Sequence, residues 1–232
     1  MSITVTVRRA EPDDADGIVS LHRDTWSHDA IDEDTVRRLL MKKTHVAFVA
    51  VEASKVIGYA DGFATFDAQG TRRWELDLLA VQPDIRGCGV GSALIEAQKT
   101  HAGTAEVQLI RALVRAGNVE GQRAFGHAGF EIDPIVYRLY TSSLPDNMLS
   151  DVPASTHLIP IETFTYRGFW IEGRIRPATL ADIQSASAPG GHSHVGMLLP
   201  EYHRYQSLLD QIPGFSDDGA YQWWSHLLTA QR

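Results

Sequence analysis

The sequence has few cysteines, no long apolar runs and little basic charge. Cys88 is the only cysteine, which excludes an intrachain disulfide. No apolar stretch approaches the roughly 20 residues that a membrane-spanning helix needs. Residues 1–7 alternate like a strand and lack the features of a signal peptide. We therefore expect a cytoplasmic protein with no membrane partner.

Positive charge is also scarce, since 21 lysines and arginines face 29 acidic residues, for a formal net charge of −8. No run of basic residues forms the face typical of nucleic-acid-binding proteins, so no nucleic-acid partner is expected. The isolated pairs Arg72-Arg73 and Lys42-Lys43 are expected on the solvated surface. The histidines of His192-Ser193-His194 have no evident third ligand, so no metal site is predicted.

What the sequence contains is ordinary for a globular chain, with 44% hydrophobic and 22% charged residues. Alternating and helical spacings predict the order β-α-α-β-β-β-α-β-α-β over residues 3–142. A polar stretch with two prolines, residues 143–155, reads as a linker. Residues 156–232 would then form a C-terminal extension of the first domain, residues 1–142.

The most informative segment is a glycine-rich loop between a strand and a helix. Leu79-Ala80-Val81-Gln82-Pro83 ends the strand, and Arg86-Gly87-Cys88-Gly89-Val90-Gly91-Ser92 opens the helix. Such a loop leaves several backbone N–H groups unpaired, which favours a phosphate or pyrophosphate ligand.

Three other interpretations of a glycine-rich loop at this position exist. A Walker loop would require Gly-Lys-Ser/Thr, whereas Gly91 is followed by Ser92-Ala93. A dinucleotide fingerprint would read G-x-G-x-x-G after the first strand, whereas this loop reads G-x-G-x-G in mid-domain. A glycine-rich turn without a ligand stays open.

Two motifs resemble those of the GNAT superfamily of N-acetyltransferases. The first is Arg-x-x-Gly-x-Gly, filled by Arg86, Gly89 and Gly91, and the second extends from Asn118 to Phe130 with the family's spacing. The resemblance covers roughly residues 3–142. It implies an α/β (α+β) fold with a mixed, mostly antiparallel central sheet flanked by helices, and acetyl-CoA as co-substrate without a metal.

In that family the fourth and fifth strands splay apart, and the pantetheine arm of coenzyme A pairs with the backbone of the fourth strand. Carried over by motif position, the cofactor-binding residues would be Leu79, Ala80, Val81, Arg86, Gly87, Cys88, Gly89, Val90, Gly91, Ser92, Asn118 and Phe125. Two of these have simpler alternatives. Asn118 also suits a helix cap, and Cys88 suits a loop position without a catalytic role.

The resemblance implies acetyl transfer from acetyl-CoA to a primary amine by direct attack, assisted by a carboxylate general base. Glu75 is the preferred base and Asp77 the second choice, because both lie on one face of the fourth strand. A solvated polar strand face is the alternative. The acceptor would be a small-molecule or peptide amine.

Phe125 departs from the family pattern, which has a tyrosine at this position as the acid for the thiolate. Either the thiolate leaves unaided, since the reference pKa of a thiol is about 8.5, or another group donates the proton. The departure also keeps a second hypothesis open, a non-catalytic acyl-CoA-binding module that regulates a partner.

The C-terminal extension carries two further signals. Ile175–Ile183 is similar to Val7–Ala15, which predicts a truncated second GNAT-like unit or a chance match. The tail is also rich in aromatic residues, namely Tyr202, Tyr205, Phe215, Tyr221, Trp223 and Trp224. Such a tail is expected to dock on the main domain or to form a homodimer. Covering the acceptor site is a sharper alternative.

Overall fold

The computed structural model describes residues 5–27, 30–143, 156–173, 175, 194–201 and 214–228. Within these ranges no helix is long and apolar enough to cross a membrane. The predicted linker lies outside the described residues except for Ser143, and so does the Ile175–Ile183 repeat except for its first residue.

Four helices and eleven strands make up the described fold. The helices are α1 (Ala15–Thr25), α2 (Glu33–Leu40), α3 (Val90–Thr104) and α4 (Val119–His127). The strands are β1 (Thr6–Arg9), β2 (His45–Glu52), β3 (Lys55–Phe66), β4 (Arg72–Val81), β5 (Leu109–Arg115), β6 (Glu131–Ile132), β7 (Tyr137–Ser143), β8 (Thr156–Glu162), β9 (Arg167–Gly173), β10 (His194–Pro200) and β11 (Ser216–Leu227). The predicted order of elements is confirmed up to residue 143, with Pro134 in the break between β6 and β7.

All the strands join one sheet in the order β1-β2-β3-β4-β5-β11-β7-β10-β9-β8, with β6 paired to β11. The pairs β4–β5 and β9–β10 are parallel. The other pairs are antiparallel. The mixed, mostly antiparallel sheet is therefore as predicted.

The strand β11 lies inside the sheet, between β5 and β7. Tyr221 is opposite Arg115 of β5 on one side and Tyr137 of β7 on the other. The C-terminal extension thus contributes a strand that completes the sheet built by residues 6–143.

The two faces of the sheet have different covers. One face buries Trp74 and Ile110 against the helices that carry Ile95 and Phe125. The other face is covered by α1 and α2 and by the turn between β8 and β9, whose Phe164 joins the apolar cluster around Tyr59. The extension therefore shares a core with the N-terminal part of the chain. Each large apolar side chain buried there contributes about 1.5–3 kcal/mol to the free energy of folding.

Candidate active site

The strands β4 and β5 form a gap at the centre of the sheet. They pair in parallel from Arg73 opposite Leu109 to Leu76 opposite Ala112, and the pairing ends there. At the same point β4 bulges, because Leu76 pairs with Gly62 of β3 but Leu79 pairs with Ala60. The sheet is therefore open between the second half of β4 and the second half of β5.

The bulge consists of Asp77 and Leu78, opposite Asp61 of β3. The N–H of Leu78 donates to Oδ1 of Asp61 at 3.0 Å, and Asp61 is fully buried. The other carboxylate oxygen of Asp61 lies 3.2 Å from Nε2 of His45, which is also buried. A carboxylate from the neighbouring strand thus takes the backbone donor that the bulge would otherwise leave unpaired.

Backbone direction beyond the bulge follows from two hydrogen bonds. The N–H groups of Leu78 and Gln82 both donate toward β3, to Asp61 and Ile57 respectively. Since successive N–H groups of a strand point to opposite edges, those of Leu79 and Val81 point into the gap. They are free to pair with an extended ligand placed there.

The glycine-rich loop lies where β4 leads into α3. Gly87 and Gly89 have φ of +78° and +85°, a conformation that side chains rarely adopt. In the part of the chain that the structure describes, no backbone carbonyl accepts from the amides of Gly87, Gly89, Val90, Gly91 and Ser92. Because the loop is also the N-terminus of a helix of 15 residues, these amides form a site suited to an anion.

Arg86 comes directly before these amides in the sequence, and Cys88 lies between the first two of them. Nε of Arg86 donates to the carbonyl of Val81 at 3.1 Å, and Nη1 lies 3.4 Å from the Glu120 carboxylate at the start of α4. The guanidinium therefore bridges the end of β4 and α4 at the surface. Cys88 is an exposed free cysteine.

Helix α4 brings the second motif to the gap. Oδ1 of Asn118 accepts from the N–H of Gly121 at 2.9 Å, so Asn118 caps the helix, as one of its two interpretations predicts. Phe125 is 4% exposed and packs edge-on against Phe130, with ring centroids 5.1 Å apart. Both Asn118 and Phe125 line a cavity at the gap.

A cavity of about 420 Å³ lies at the gap, under the C-terminal extension. The core contributes Trp26, which follows α1, and residues of β3, β4, β5, β7 and α4, and the extension contributes residues of β8, β9, β11 and the β8–β9 turn. The residues from the extension are Ile159, Ile161, Thr163, Thr165, Tyr166, Trp170, Tyr221 and Trp223. The extension therefore forms one wall of the cavity.

Glu75 is buried in this cavity within a group of ion pairs. Oε1 of Glu75 accepts from Oγ1 of Thr65 at 2.6 Å, and Oε2 accepts from Nε of Arg111 at 2.7 Å. Glu172 of β9 pairs with two arginines. Its carboxylate oxygens lie 3.0 Å from Nη1 of Arg73 and 2.6 Å from Nη2 of Arg111, the arginine that also binds Glu75. Arg73, Glu75, Arg111 and Glu172 form a charge-balanced group, which we call the buried ion cluster.

The buried ion cluster shifts the pKa values of Glu172 and Arg111. Burial opposes ionisation of Glu172, but the charges and hydrogen bonds of Arg111 and Arg73 outweigh it and hold the pKa of that carboxyl below its usual range. Burial likewise opposes the charge of Arg111, but Glu75 and Glu172 raise its pKa. Glu172 and Arg111 are therefore charged at neutral pH.

The expectation that Arg73 is solvated surface is wrong, because Arg73 is 6% exposed and belongs to the cluster. Arg111 and Glu172 were not predicted as site residues from the sequence. The available signal was a charged residue in the interior of a strand that is otherwise apolar, as at Arg111 within Leu109–Val114. Lys42 and Arg38 are partly exposed and pair with Glu162.

Asp77 lies two residues beyond Glu75, in the bulge. Asp77 is exposed, and it lines the cavity next to the gap. Burial raises the pKa of the cavity residue Tyr221, Arg115 lowers it, and the charges of Asp218 and Asp77 raise it further. The structure thus brings both predicted catalytic carboxylates to the cavity, Glu75 inside the ion cluster and Asp77 outside it.

No group of three or more histidine, cysteine or acidic side chains within the described ranges could hold a metal ion.

Comparison with known proteins identifies the family. The sequence pattern of the acetyltransferase (GNAT) family matches residues 15–130, which contain the bulge, the glycine-rich loop and the α4 motif. The chain belongs to the GNAT family. No curated protein sequence matches it.

Solved structures show the same fold at low identity. A putative acetyltransferase from Pyrococcus horikoshii matches with a TM-score of 0.60 at 14% identity, over 98% of this chain and 91% of its own. The glucosamine N-acetyltransferase region of a fungal multi-domain β-N-acetylglucosaminidase matches with a TM-score of 0.65 at 14% identity. That match covers 97% of this chain, which spans 38% of the length of the fungal protein.

The aminoglycoside N-acetyltransferase AAC(6′)-Iy, solved with coenzyme A, matches over 56% of this GNAT chain and 90% of its own, with a TM-score of 0.51 at 19% identity. The first two likenesses extend over the C-terminal extension, whereas this one covers little more than half of the chain. Membership of the family supports acetyl transfer in general.

Proposed function

We propose that the protein transfers an acetyl group from acetyl-CoA to a primary amine of a small molecule. The observation that carries this proposal is the gap between β4 and β5. The anion-binding loop of α3 lies beyond the end of β4, and the cavity lies at the bulge where the gap opens. A ligand with a diphosphate and a long arm is suited to this arrangement.

The chemistry of the donor set fits coenzyme A. The amides of Gly87, Gly89, Val90, Gly91 and Ser92 offer hydrogen bonds to a diphosphate, each contributing roughly 1.5–3 kcal/mol. Arg86 would add a positive charge at the edge of the loop. The amides of Leu79 and Val81 would pair with the pantetheine arm as an added strand does.

Asp77 is better placed than Glu75 to act as the general base. A base needs a carboxylate oxygen within reach of the amine, and both oxygens of Glu75 already accept hydrogen bonds from Thr65 and Arg111. Asp77 is exposed to the cavity. We therefore assign proton removal from the amine to Asp77 and a positioning role to Glu75, which holds Arg111.

The backbone of the bulge would stabilise the charge that develops on the thioester carbonyl. Asp61 fixes the N–H of Leu78 toward β3, so the next N–H, that of Leu79, points into the gap beside Asp77. A donor that is held in place before the reaction stabilises an oxyanion at no cost in reorganisation.

The walls of the cavity favour a compact acceptor. Strands β8 and β9 and the turn between them cover one side with Ile159, Ile161, Tyr166 and Trp170, which leaves little room for an extended peptide. The structural neighbours include enzymes named for glucosamine and for aminoglycosides. We propose an amine of this size, with peptide amines as comparison substrates.

Calorimetric titration with acetyl-CoA, followed by a screen of amines for thiol release, tests the proposal. We expect Gly89→Asp to weaken acetyl-CoA binding by about 100-fold or more, because a carboxylate would face the diphosphate. Gly70→Asp is the matched control, since Gly70 has a similar φ of +82° in an open turn. Equal acetyl-CoA affinity in the two variants would overturn the assignment of the loop.

The same screen separates the enzyme from a non-catalytic acyl-CoA-binding module. An enzyme releases coenzyme A in proportion to the amine added, whereas a binding module titrates with acetyl-CoA and releases no thiol with any amine.

A further inference from the structure

The departing thiolate of coenzyme A requires a proton, and helix α4 does not supply one. Phe125 is the aromatic residue that α4 places at the cavity, and a phenyl ring carries no acidic hydrogen. If the protein protonates the sulfur, rather than leaving the thiolate to depart unaided, the donor belongs to another element that reaches the cavity.

Among the residues that the structure describes, two tyrosines line the cavity, Tyr166 and Tyr221, and both belong to the C-terminal extension. The hydroxyl of Tyr166 donates to the carbonyl of Phe169 at 2.8 Å, which commits it to the β8–β9 hairpin. Tyr221 lies on β11, directly opposite Arg115 of β5. Of the two, Tyr221 is on the strand next to β5, which borders the gap.

The surroundings of Tyr221 suit a proton donor. Burial raises the pKa of the Tyr221 phenol, so that it is protonated at neutral pH, and the charges of Asp218 and Asp77 act in the same direction. The guanidinium of Arg115 lies over the ring, 5.1 Å from its centroid, and favours the phenolate. Asp77 and Tyr221 thus come from opposite sides of the gap, one from β4 and one beside β5.

We propose that Tyr221 is the catalytic acid of acetyl transfer and donates its phenolic proton to the sulfur of coenzyme A. The proposal rests on the proposed function. It assigns the last described strand of the chain a chemical role in addition to its place in the sheet.

The step balances without a further reactant. The amine nitrogen forms a bond to the carbonyl carbon, the carbon–sulfur bond breaks, and its electron pair stays on sulfur. Asp77 takes the proton of the amine, and Tyr221 gives its proton to sulfur. Proton transfer from Asp77 to the Tyr221 phenolate through water restores both groups.

The test compares Tyr221→Phe with Tyr137→Phe, using two acetyl donors. Tyr137 is the partner of Tyr221 on β7 and lies outside the described lining of the cavity, with its hydroxyl donating to Asp133. With acetyl-CoA we expect turnover of Tyr221→Phe to fall by about 100-fold. With an acetyl thioester of an aromatic thiol, which leaves without protonation, we expect the two variants to react at similar rates.

The outcomes separate this proposal from the proposed function. A wild-type protein that releases no thiol with any amine overturns the function itself. A wild-type enzyme whose Tyr221→Phe variant keeps full turnover, or loses equal activity with both donors while still binding acetyl-CoA, shows that Tyr221 does not donate the proton. Tyr137→Phe reports the general effect of removing a tyrosine hydroxyl from this part of the sheet.

Discussion

At the scale of single residues, the two carboxylates of β4 show how position within one strand separates structural from chemical roles. Glu75 precedes the bulge and is held by Thr65 and Arg111. Asp77 lies in the bulge and is exposed to the cavity. Two residues of the same chemical type, separated by one residue, therefore have different accessibility to a substrate.

Replacing Asp77 with Asn should abolish most of the activity. The amide cannot take the amine proton, and loss of a general base lowers turnover by roughly 10²–10⁴-fold. We expect kcat to fall by that order, with a smaller change in the urea midpoint of unfolding than for Glu75→Gln, because Asp77 is exposed whereas Glu75 is buried. Glu75→Gln is the comparison, with a lower urea midpoint and a smaller loss of kcat. The reverse pattern would return the base to Glu75.

The buried ion cluster predicts a dependence of stability on acid. Because the pKa of Glu172 is lower in the folded than in the unfolded protein, its ion pairs stabilise the fold above the unfolded pKa of about 4.3. That stabilisation is lost as the pH falls through the lower, folded pKa. We expect Glu172→Gln to destabilise the protein at pH 7 by about 3 kcal/mol, since it leaves two buried cations, Arg73 and Arg111, facing the single carboxylate of Glu75.

Urea unfolding at pH 7 and below pH 4 measures the effect of Glu172→Gln. The difference in unfolding free energy from the wild type should shrink at the lower pH. A difference that is constant across this range would mean that Glu172 contributes little through its charge. Glu201→Gln, at a surface pair with Arg138, is the matched control and should change little at either pH.

At the scale of elements, helix α4 tests whether Asn118 does more than cap. Asn118→Ala removes the bond to the Gly121 amide and should cost about 1 kcal/mol of stability. Asp32→Ala removes the equivalent cap of α2, where Asp32 accepts from the N–H of Thr35 at 2.8 Å, and is the control. If Asn118 also binds coenzyme A, only Asn118→Ala weakens acetyl-CoA binding in calorimetry. Equal affinity in the two variants would leave Asn118 as a cap alone.

Local periodicity predicts the elements as far as residue 143, because their spacing is set by the nearest neighbours in the chain. Strand β5 begins at Leu109, three residues after Glu106, whose φ of +54° is outside the extended region. The place of β11 between β5 and β7 could not be predicted, because strand order depends on contacts distant in sequence.

The residues of the site also differ in whether the sequence alone predicts them. The glycine-rich loop is recognisable because its chemistry is contiguous, from Arg86 to Ser92. The ion cluster is not, because Arg73 and Glu172 are 99 residues apart and meet only when β9 folds over β4. Phe125 showed that a proton donor was missing from its usual place, but a tyrosine on a strand of the extension had no local pattern to reveal it.

At the scale of the whole molecule, the extension and the N-terminal part share one sheet and one core, so we expect them to unfold together. Hydrogen exchange of the β11 amides between Tyr221 and Leu227 should report the same opening free energy as that of the β3–β4 pair. The measurement is native-state exchange in low denaturant. Exchange of β11 well before β3 and β4 would show that the extension is a separate folding unit.

The position of β11 also has a consequence for synthesis on the ribosome. A nascent chain that has emerged as far as β7 has both β5 and β7 but lacks the strand that lies between them. Their backbone edges remain open until Ser216–Leu227 has been translated, and open strand edges are sites of aggregation. Translation that stalls before this segment would therefore yield a chain with an incomplete sheet and without Tyr221, for which chaperone binding would be the expected fate.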